Sequence, residues 1–300
     1  MIRLSNGHTF SYIAASGALA YDGSGWPWEY PLRWMGLVDP RLFTVVTKTL
    51  TYLPRKGNLL WYAPWRCVRL VKEGTVNAIG LTNPGFRWWC KRIGPRVDRS
   101  NIPIIVSIRS ENCEELAEMA LALSAYDIVG LELNASCPNS PKEKMTNPEF
   151  IRRCCAQIKE AAPHVPLSIK FGPISGLDAL LKAAEPFVEF VEINSVPWAN
   201  IFPEKVSPLK RYGGGGVSGK IAQSVTWRLY DTLSALTLRP VVAPSVWTYD
   251  DLAALDTKGA QAVSFGSVFL RHPTRPTSIV RLRQQADALT RKEHSYATSR

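Results

Sequence analysis

Residues 102–133 read IPIIVSIRSENCEELAEMALALSAYDIVGLEL and alternate between two kinds of pattern. The runs Ile102–Ile108 and Asp127–Leu133 are short, apolar and rich in β-branched residues, which is typical of strands buried on both faces. Between them, Glu111–Ser124 has the apolar spacing of an amphipathic helix. A strand, a helix and a second strand in this order predict a parallel βαβ unit.

The same alternation extends in both directions from this unit. Six further strands are predicted at Ser11–Ala15, Thr44–Thr47, Leu167–Phe171, Val188–Ile193, Pro240–Ala243 and Ala262–Phe265. Further helices are predicted at Pro148–Ala162, Ser218–Leu236 and Thr277–Leu289, and Thr248 with Asp251 resembles a capping box that opens another helix. Eight strands with intervening helices predict a single α/β domain over residues 1–300, a (β/α)₈ TIM barrel. An open, doubly wound sheet is the alternative, although no Gly-x-Gly-x-x-Gly follows an early strand.

Two segments depart from the alternation. Residues 49–101 contain several prolines and glycines and four tryptophans, which predicts a long insertion after the second strand, on the catalytic face. Residues 290–300 are basic and lack an apolar pattern, and we expect a disordered tail there.

Composition limits the classes of function. The chain is 46% hydrophobic with a net charge of +11, which suits a soluble protein that binds anionic small molecules. The basic residues are scattered, so nucleic-acid binding is not expected. No signal peptide or membrane span is predicted. The six cysteines lack C-x-x-C pairs and histidines at ligand spacing, which predicts no metal site and a reducing, cytoplasmic setting.

Polar residues follow several predicted strands, where a barrel places its active site. Cys137 is the only group in its loop that could act as both nucleophile and base, and the alternative is an inert, buried thiol. Lys170 lies in an apolar strand, where burial requires an anionic partner, unless the side chain reaches solvent at the rim. The glycine-rich residues 213–219 precede a predicted helix and could offer backbone N–H groups to a phosphate, or form only a flexible loop.

Several motifs resemble, in order, those of the dihydroorotate dehydrogenase family, specifically its soluble, cysteine-using class. Residues 134–139, NASCPN, resemble the family's Asn-x-Ser-Cys-Pro-Asn loop. Residues 77–83, NAIGLTN, are similar to its substrate loop. Residues 15–17, ASG, and 47–58, TKTLTYLPRKGN, resemble the segments after its first and second strands.

The resemblance implies an FMN-binding barrel that oxidises dihydroorotate to orotate in pyrimidine biosynthesis. It implies that Cys137 is the base that takes a proton from substrate C5 while hydride from C6 passes to flavin N5. The implied substrate-binding residues are Lys48, Asn77, Ile79, Gly80, Leu81, Asn83, Asn134, Asn139, Asn194 and Ser195. The implied FMN-binding residues are Ala15, Ser16, Gly17, Lys48, Asn134, Lys170, Gly216, Ser218, Gly219, Ser245, Gly266 and Ser267. Among these, Lys170 would face the N1/O2 edge of the flavin, where negative charge develops on reduction.

One segment departs from the family pattern. A Gly-Gly pair usually follows the seventh strand and helps to bind the FMN phosphate, whereas this chain has Ala243, Pro244 and Ser245. Because Pro244 has no N–H, phosphate binding is expected to be weaker or reorganised, and Ser245 could substitute with its hydroxyl and its own N–H. The alternatives are a related flavin-dependent dihydropyrimidine oxidoreductase and a degenerate, non-catalytic barrel.

The resemblance also implies partners. The family is usually homodimeric. Its soluble members pass electrons either to fumarate or to a partner subunit that carries FAD and an iron–sulfur cluster. Since this chain lacks a cluster-binding cysteine pattern, any such cluster would lie on a separate chain.

Overall fold

The computed structural model describes residues 1–60, 62–136 and 144–298. Fourteen strands form in these ranges: β1 (Ile2–Arg3), β2 (Thr9–Phe10), β3 (Tyr12–Ala14), β4 (Thr44–Val46), β5 (Leu50–Thr51), β6 (Val68–Val71), β7 (Gly74–Asn77), β8 (Ile104–Arg109), β9 (Gly130–Asn134), β10 (Leu167–Phe171), β11 (Phe190–Ile193), β12 (Val196–Pro197), β13 (Gly216–Gly219) and β14 (Val263–Phe265). The α-helices there are α1 (Tyr30–Trp34), α2 (Phe86–Arg92), α3 (Cys113–Leu123), α4 (Pro148–Ala161), α5 (Leu177–Ala184), α6 (Trp198–Ile201), α7 (Gln223–Leu236), α8 (Asp250–Thr257), α9 (Ser267–Arg271) and α10 (Arg275–Thr298).

Parallel strands form a closed barrel, as the alternation predicts. Seven strands pair in the order β11-β10-β9-β8-β4-β3-β14. The remaining gap is closed by residues 241–243, because Val241 pairs with Val191 and Ala243 pairs with Val263. The predicted α/β TIM barrel is therefore confirmed, and the open-sheet alternative is excluded.

The predicted strand Pro240–Ala243 does not form a regular ladder, and this is a correction. Its backbone makes two isolated bridges only. Prolines at positions 240 and 244 flank the segment and have no N–H to donate, so the ladder cannot extend in either direction. The carbonyl of Pro240 still accepts a hydrogen bond of 2.9 Å from Val191 N, which keeps the barrel closed.

The amino-terminal end of the barrel is sealed by apolar side chains. The hairpin β1–β2 contributes Ile2, Leu4 and Phe10, which pack against barrel residues such as Ile105 and Phe190. Burying each such side chain stabilises the fold by about 1.5–3 kcal/mol. Because this end is filled, a ligand can enter the barrel only from the carboxyl ends of the strands.

The glycine-rich segment differs from its prediction. Gly216–Gly219 is the strand β13, which pairs with β12 and β7 in a four-stranded antiparallel sheet with β6. Its backbone is therefore engaged in a ladder rather than in a free loop. The helix that was predicted from Ser218 begins at Gln223, after a 3₁₀ turn at Lys220–Ala222.

Two other local predictions differ in detail. Asp251 Oδ2 accepts hydrogen bonds of 2.8 Å from the N–H groups of Trp247 and Thr248, as a capping box requires, but α8 begins only at Asp250 and Thr248 does not cap it. The helix α10 continues to Thr298, where the sequence predicts a disordered tail.

A disulfide joins Cys113 on α3 to Cys154 on α4. These two helices pack side by side outside the barrel wall. This bond was not predicted from the sequence. The cysteine pattern predicted a reducing setting, and disulfides are rare in such a setting outside hyperthermophiles. In the described ranges, no helix has the combination of length and apolar character that a membrane crossing needs.

Candidate active site

A cavity of about 610 Å³ lies at the carboxyl ends of the barrel strands. It is bounded by strand ends, by the sheet β6–β7–β13 and by the segment around Trp26. The sequence-predicted site residues that line it are Ala15, Ser16, Gly17, Lys48, Asn77, Ile79, Gly80, Leu81, Asn134, Lys170, Asn194, Ser195, Gly216, Ser218, Gly219, Ser245, Gly266 and Ser267. Cys137 and Asn139 lie outside the described residues.

Asn83 does not line the cavity. Its Oδ1 accepts hydrogen bonds from the backbone N–H groups of Thr51 and Gly85, at 3.1 and 2.8 Å. Its Nδ2 donates to Thr51 Oγ1 and to the Leu81 carbonyl, at 2.8 and 2.6 Å. The side chain is buried, and its hydrogen bonds hold the loop around Leu81 and Gly85 against Thr51 on β5.

Asn134 and Asn194 are joined through Ser136. Asn194 Nδ2 donates to the Ser136 carbonyl at 2.7 Å, and Ser136 N donates to Asn134 Oδ1 at 3.2 Å. Asn134 Nδ2 donates to Thr49 Oγ1 at 2.9 Å. These bonds link the ends of β9 and β11 with the segment after β4, and they orient two neutral amides along one wall of the cavity.

The floor of the cavity carries a buried charged cluster. Lys170 Nζ lies 2.7 Å from Glu132 Oε1, and both side chains are buried. This is the anionic partner that burial of Lys170 requires, and the alternative of a lysine in solvent is excluded. Glu192, opposite Lys170 on the neighbouring strand, also lines the cavity. Burial and the adjacent Glu132 raise the pKa of Glu192 well above its ordinary value, although Lys170 opposes this effect.

Another part of the cavity lining is a turn at Ser245. This residue has a φ of +65°, a left-handed conformation that favours glycine. Thr226 Oγ1 donates to Ser245 Oγ at 3.0 Å, and Gln223 Nε2 donates to the Ser245 carbonyl at 3.2 Å. Nearby in the same lining, Ser267 Oγ is buried and has no hydrogen-bond partner among the described residues.

A third wall is formed by Trp26, Trp28 and Glu29. Trp26 Nε1 donates to the Gly17 carbonyl at 3.1 Å, and its ring stacks on Trp28 with 5.5 Å between centroids. Glu29 is buried and accepts a hydrogen bond of 2.7 Å from Trp26 N. Burial raises the pKa of Glu29 to about 7.

Sequence reasoning missed several lining residues. Glu192 in the lining, and Glu132 paired with Lys170, are charged residues inside apolar strands, the same signal that distinguished Lys170, and that signal could have identified them. Trp26, Trp28, Thr226 and Trp247 carry no such local signal, because they reach the cavity through folding of distant segments.

The closed parallel barrel and its cavity at the strand ends, mostly apolar with a set of polar side chains, define a TIM-barrel enzyme with a small-molecule site. Residues 37–279 match the family model described as dihydroorotate dehydrogenase. The chain belongs to this family and is an oxidoreductase; the family is in general flavin-dependent.

Individual relatives agree with this assignment. The chain is 30% identical over 257 residues to the dihydroorotate dehydrogenase B (NAD(+)) catalytic subunit of Bacillus caldolyticus, covering 83% of this chain and 80% of that protein. It is 31% identical over 231 residues to a putative dihydroorotate dehydrogenase A (fumarate) of Aeropyrum pernix, covering 75% and 74%. It is 27% identical over 231 residues to the catalytic subunit of the B type from Maridesulfovibrio salexigens, covering 74% of each chain.

Proposed function

We propose that this chain binds FMN and oxidises dihydroorotate to orotate in pyrimidine biosynthesis, with Cys137 as the catalytic base. The observation that carries the proposal is the cavity lining. In a member of this family, one cavity brings together Lys48, Asn77, Asn134 and Asn194 with Lys170 on its floor.

The cavity lining contains groups that suit the phosphate of FMN and groups that suit its ring. A phosphate needs hydrogen-bond donors, and the buried Ser267 hydroxyl is a donor with no partner among the described residues. The turn at Ser245 keeps a glycine-like backbone conformation in the segment where Pro244 cannot donate. We infer that Ser245 and Ser267 hold the phosphate, while Lys170 faces the redox-active ring. When bound, FMN supplies the hydride acceptor.

The amide wall suits a dihydropyrimidine ring. Asparagine side chains carry both a donor and an acceptor, so they can match the alternating N–H and C=O groups of the ring without imposing charge. Lys48 is buried at the cavity wall and offers a cation to the substrate carboxylate. Cys137 follows Ser136 directly, and its thiolate would remove the C5 proton.

An anaerobic flavin titration tests this proposal. The purified chain is saturated with FMN, its visible spectrum is recorded, and dihydroorotate is added without oxygen. Bleaching of the flavin band by dihydroorotate is expected. Bleaching by dihydrouracil but not by dihydroorotate would indicate that the chain is a related dihydropyrimidine oxidoreductase. Absence of a bound-flavin spectrum at saturating FMN would favour the non-catalytic barrel.

The assignment of Cys137 is tested by Cys137→Ala with Cys90→Ala as the matched control. Cys90 is a free cysteine on α2 and does not line the cavity. Cys137→Ala should retain FMN and orotate binding but reduce the flavin at least about 100-fold more slowly, as expected for loss of a general base. Cys90→Ala should reduce the flavin at the wild-type rate. An unchanged rate in Cys137→Ala would remove this residue from the role.

The electron acceptor is tested separately. The similar relatives include both NAD(+)-type catalytic subunits and a putative fumarate-type enzyme. We propose that the chain forms a homodimer and passes electrons to a separate FAD and iron–sulfur subunit. If fumarate alone reoxidises the reduced flavin as fast as dihydroorotate reduces it, the chain needs no partner subunit and this proposal is contradicted. Light scattering of the purified chain tests the dimer.

A further inference from the structure

Three charged side chains from adjacent barrel strands meet beneath the cavity. Glu132 lies on β9, Lys170 on β10 and Glu192 on β11. Their exposed fractions are 0%, 5% and 3%, so water screens them little. Lys170 is paired with Glu132 at 2.7 Å and sits directly opposite Glu192 in the strand register.

The hydrogen bonding of this cluster is incomplete without an additional proton. Glu132 Oε2 and Glu192 Oε1 are both buried and have no partner among the described residues. The two carboxyl groups come from the strands on either side of Lys170, and the nearby Glu132 raises the pKa of Glu192. Two carboxylates cannot bond to one another, because neither has a hydrogen to donate. A single proton between them gives both groups a partner.

The charge balance of the cluster also favours one proton on the two carboxyl groups. With both carboxyl groups ionised, the cluster would hold two negative charges against one positive charge in a buried site, which is strongly unfavourable. With one proton on the pair, the net charge of the cluster is zero. A pair of carboxyl groups at close range commonly keeps one proton for this reason.

We propose that Glu132 and Glu192 share a single proton and act as a positioning pair that holds the Lys170 ammonium at the floor of the cavity. Glu192, in its neutral form, donates to Glu132, which in turn accepts from Lys170. Lys170 then keeps its full positive charge and a fixed place against the cavity. Loss of the shared proton would set an additional negative charge beside Lys170.

The shared proton would also act on the cofactor, an effect that rests on the proposed function. A flavin gains negative charge when it is reduced, and a fixed ammonium next to it favours the reduced form. An extra carboxylate charge on the floor would oppose reduction. The protonation state of the Glu132–Glu192 pair would therefore set how readily the flavin accepts a hydride.

Among the residues that the structure describes, few other charged groups act on the pair. From β9 and β10 the neighbours are Glu132 and Lys170 themselves. From β14 the nearby cavity residue is Ser264, and residues 241–243 between β11 and β14 carry no titratable side chain. On β8, the buried Arg109 donates to the Asn134 carbonyl at 2.8 Å, above the level of Glu132. Within the described part of the chain, the charged groups that act on Glu192 are thus Glu132 and Lys170.

Infrared spectroscopy of the chain without added flavin tests the shared proton directly. A protonated carboxyl has a C=O stretching band well separated from the carboxylate bands. At pH 7, subtraction of the Glu192→Gln spectrum from that of the wild type should reveal this band, and Glu160→Gln, an exposed site on α4, should not. Glu132→Gln should lose the band as well, because the remaining Glu192 would ionise beside Lys170. Persistence of the wild-type spectrum in both floor variants would overturn the proposal.

The reduction potential of bound FMN tests the positioning role. In the wild type, Glu192 gains a negative charge at pH values above its pKa, and the reduction potential should then fall more steeply with pH. In Glu192→Gln this charge cannot form, so the fall should be less steep. Superimposable pH profiles would refute the role. If the chain binds no FMN at all, the proposed function fails, whereas the infrared result on the shared proton still stands or falls independently.

Discussion

Thr226 on α7 donates a hydrogen bond of 3.0 Å to the side chain of Ser245, and Ser245 has a φ of +65°. The family resemblance implies glycines in this segment, and the turn has kept a conformation that glycine adopts without strain. A side chain on α7 thus supports a backbone that would otherwise be unfavourable for serine. This relationship explains how the segment can turn as a glycine pair would, even though Pro244 precedes it.

Substitutions of Ser245 distinguish the effect of its backbone conformation from the effect of its side-chain hydrogen bond. Ser245→Gly removes a left-handed penalty of about 1 kcal/mol and loses a hydrogen bond of similar value. We therefore expect little net change in the free energy of unfolding. Ser245→Val, β-branched at a positive φ, should lower it by about 1–3 kcal/mol and weaken FMN binding. Urea denaturation and quenching of FMN fluorescence measure both effects, and wild-type affinity in Ser245→Val would contradict this account.

Removal of Lys170 should destabilise the barrel. Lys170→Met leaves Glu132 buried without its cation, and breaking such a pair typically lowers the free energy of unfolding by about 3–5 kcal/mol. Lys182→Met, on the exposed side of α5, serves as the control and should change stability by less than about 0.5 kcal/mol. The double variant Lys170→Met/Glu132→Gln should recover part of the loss. Equal stability of Lys170→Met and Lys182→Met in urea would show that the pair is not buried in solution.

Glu29 should make stability depend on pH. Its pKa in the folded chain is raised from the ordinary value of 4.5 to about 7, so the folded state holds this proton more tightly than the unfolded state. The contribution of Glu29 to the free energy of unfolding is therefore fully present below pH 4.5. It declines as the pH rises towards 7 and is lost above pH 7.

Glu29→Gln tests this dependence because glutamine keeps the oxygen that accepts from Trp26 N. The variant should lose less stability than the wild type between pH 5 and 8, a window that spans the raised pKa of about 7. Glu204→Gln, an exposed substitution, should follow the wild-type curve. Thermal melts across this range provide the comparison, and parallel curves for Glu29→Gln and the wild type would refute the prediction.

The disulfide between Cys113 and Cys154 should contribute measurably to stability. The bond closes a loop with a sequence separation of 41 residues. The loop-entropy relation gives about 4 kcal/mol for a loop of this length. Cys113→Ala/Cys154→Ala should lower the urea midpoint, and dithiothreitol should lower the wild-type midpoint but not that of the double variant. Cys90→Ala controls for loss of a thiol, and a wild-type midpoint insensitive to dithiothreitol would contradict the bond.

The architecture was largely predictable because its signals are local. Seven of the eight predicted barrel strands form regular strands, and the eighth closes the ring through bridges at Val241 and Ala243. The predictions of secondary structure were wrong where contacts with a distant segment of the same chain override a local sequence pattern. The glycine-rich residues look like a loop in isolation, but β7 lies alongside them and offers a ladder. Ser218 therefore belongs to a strand rather than to a helix.

Of the described residues that the motifs mark as site candidates, from Ala15 through Ser267, all but Asn83 line the cavity, and their binding roles stay predictions. Asn83 has the residue type and spacing of a ligand-binding residue, but its hydrogen bonds are made to Leu81 and Gly85 in its own loop and to Thr51 on β5. A motif specifies which side chain is present, whereas its bonding partners depend on how the loop folds back on Thr51.

The alternation of strands and helices, the barrel and the family motifs follow from the amino-acid order, because periodicity and turn chemistry act over a few residues. The pairing of Lys170 with Glu132, the approach of Glu192 and the bond between Cys113 and Cys154 do not. They arise from segments far apart in the chain that become neighbours only when the strands adopt one register and the outer helices pack against each other. Burial then removes water from the three charges, and it is this loss of solvent that makes one shared proton the favourable state.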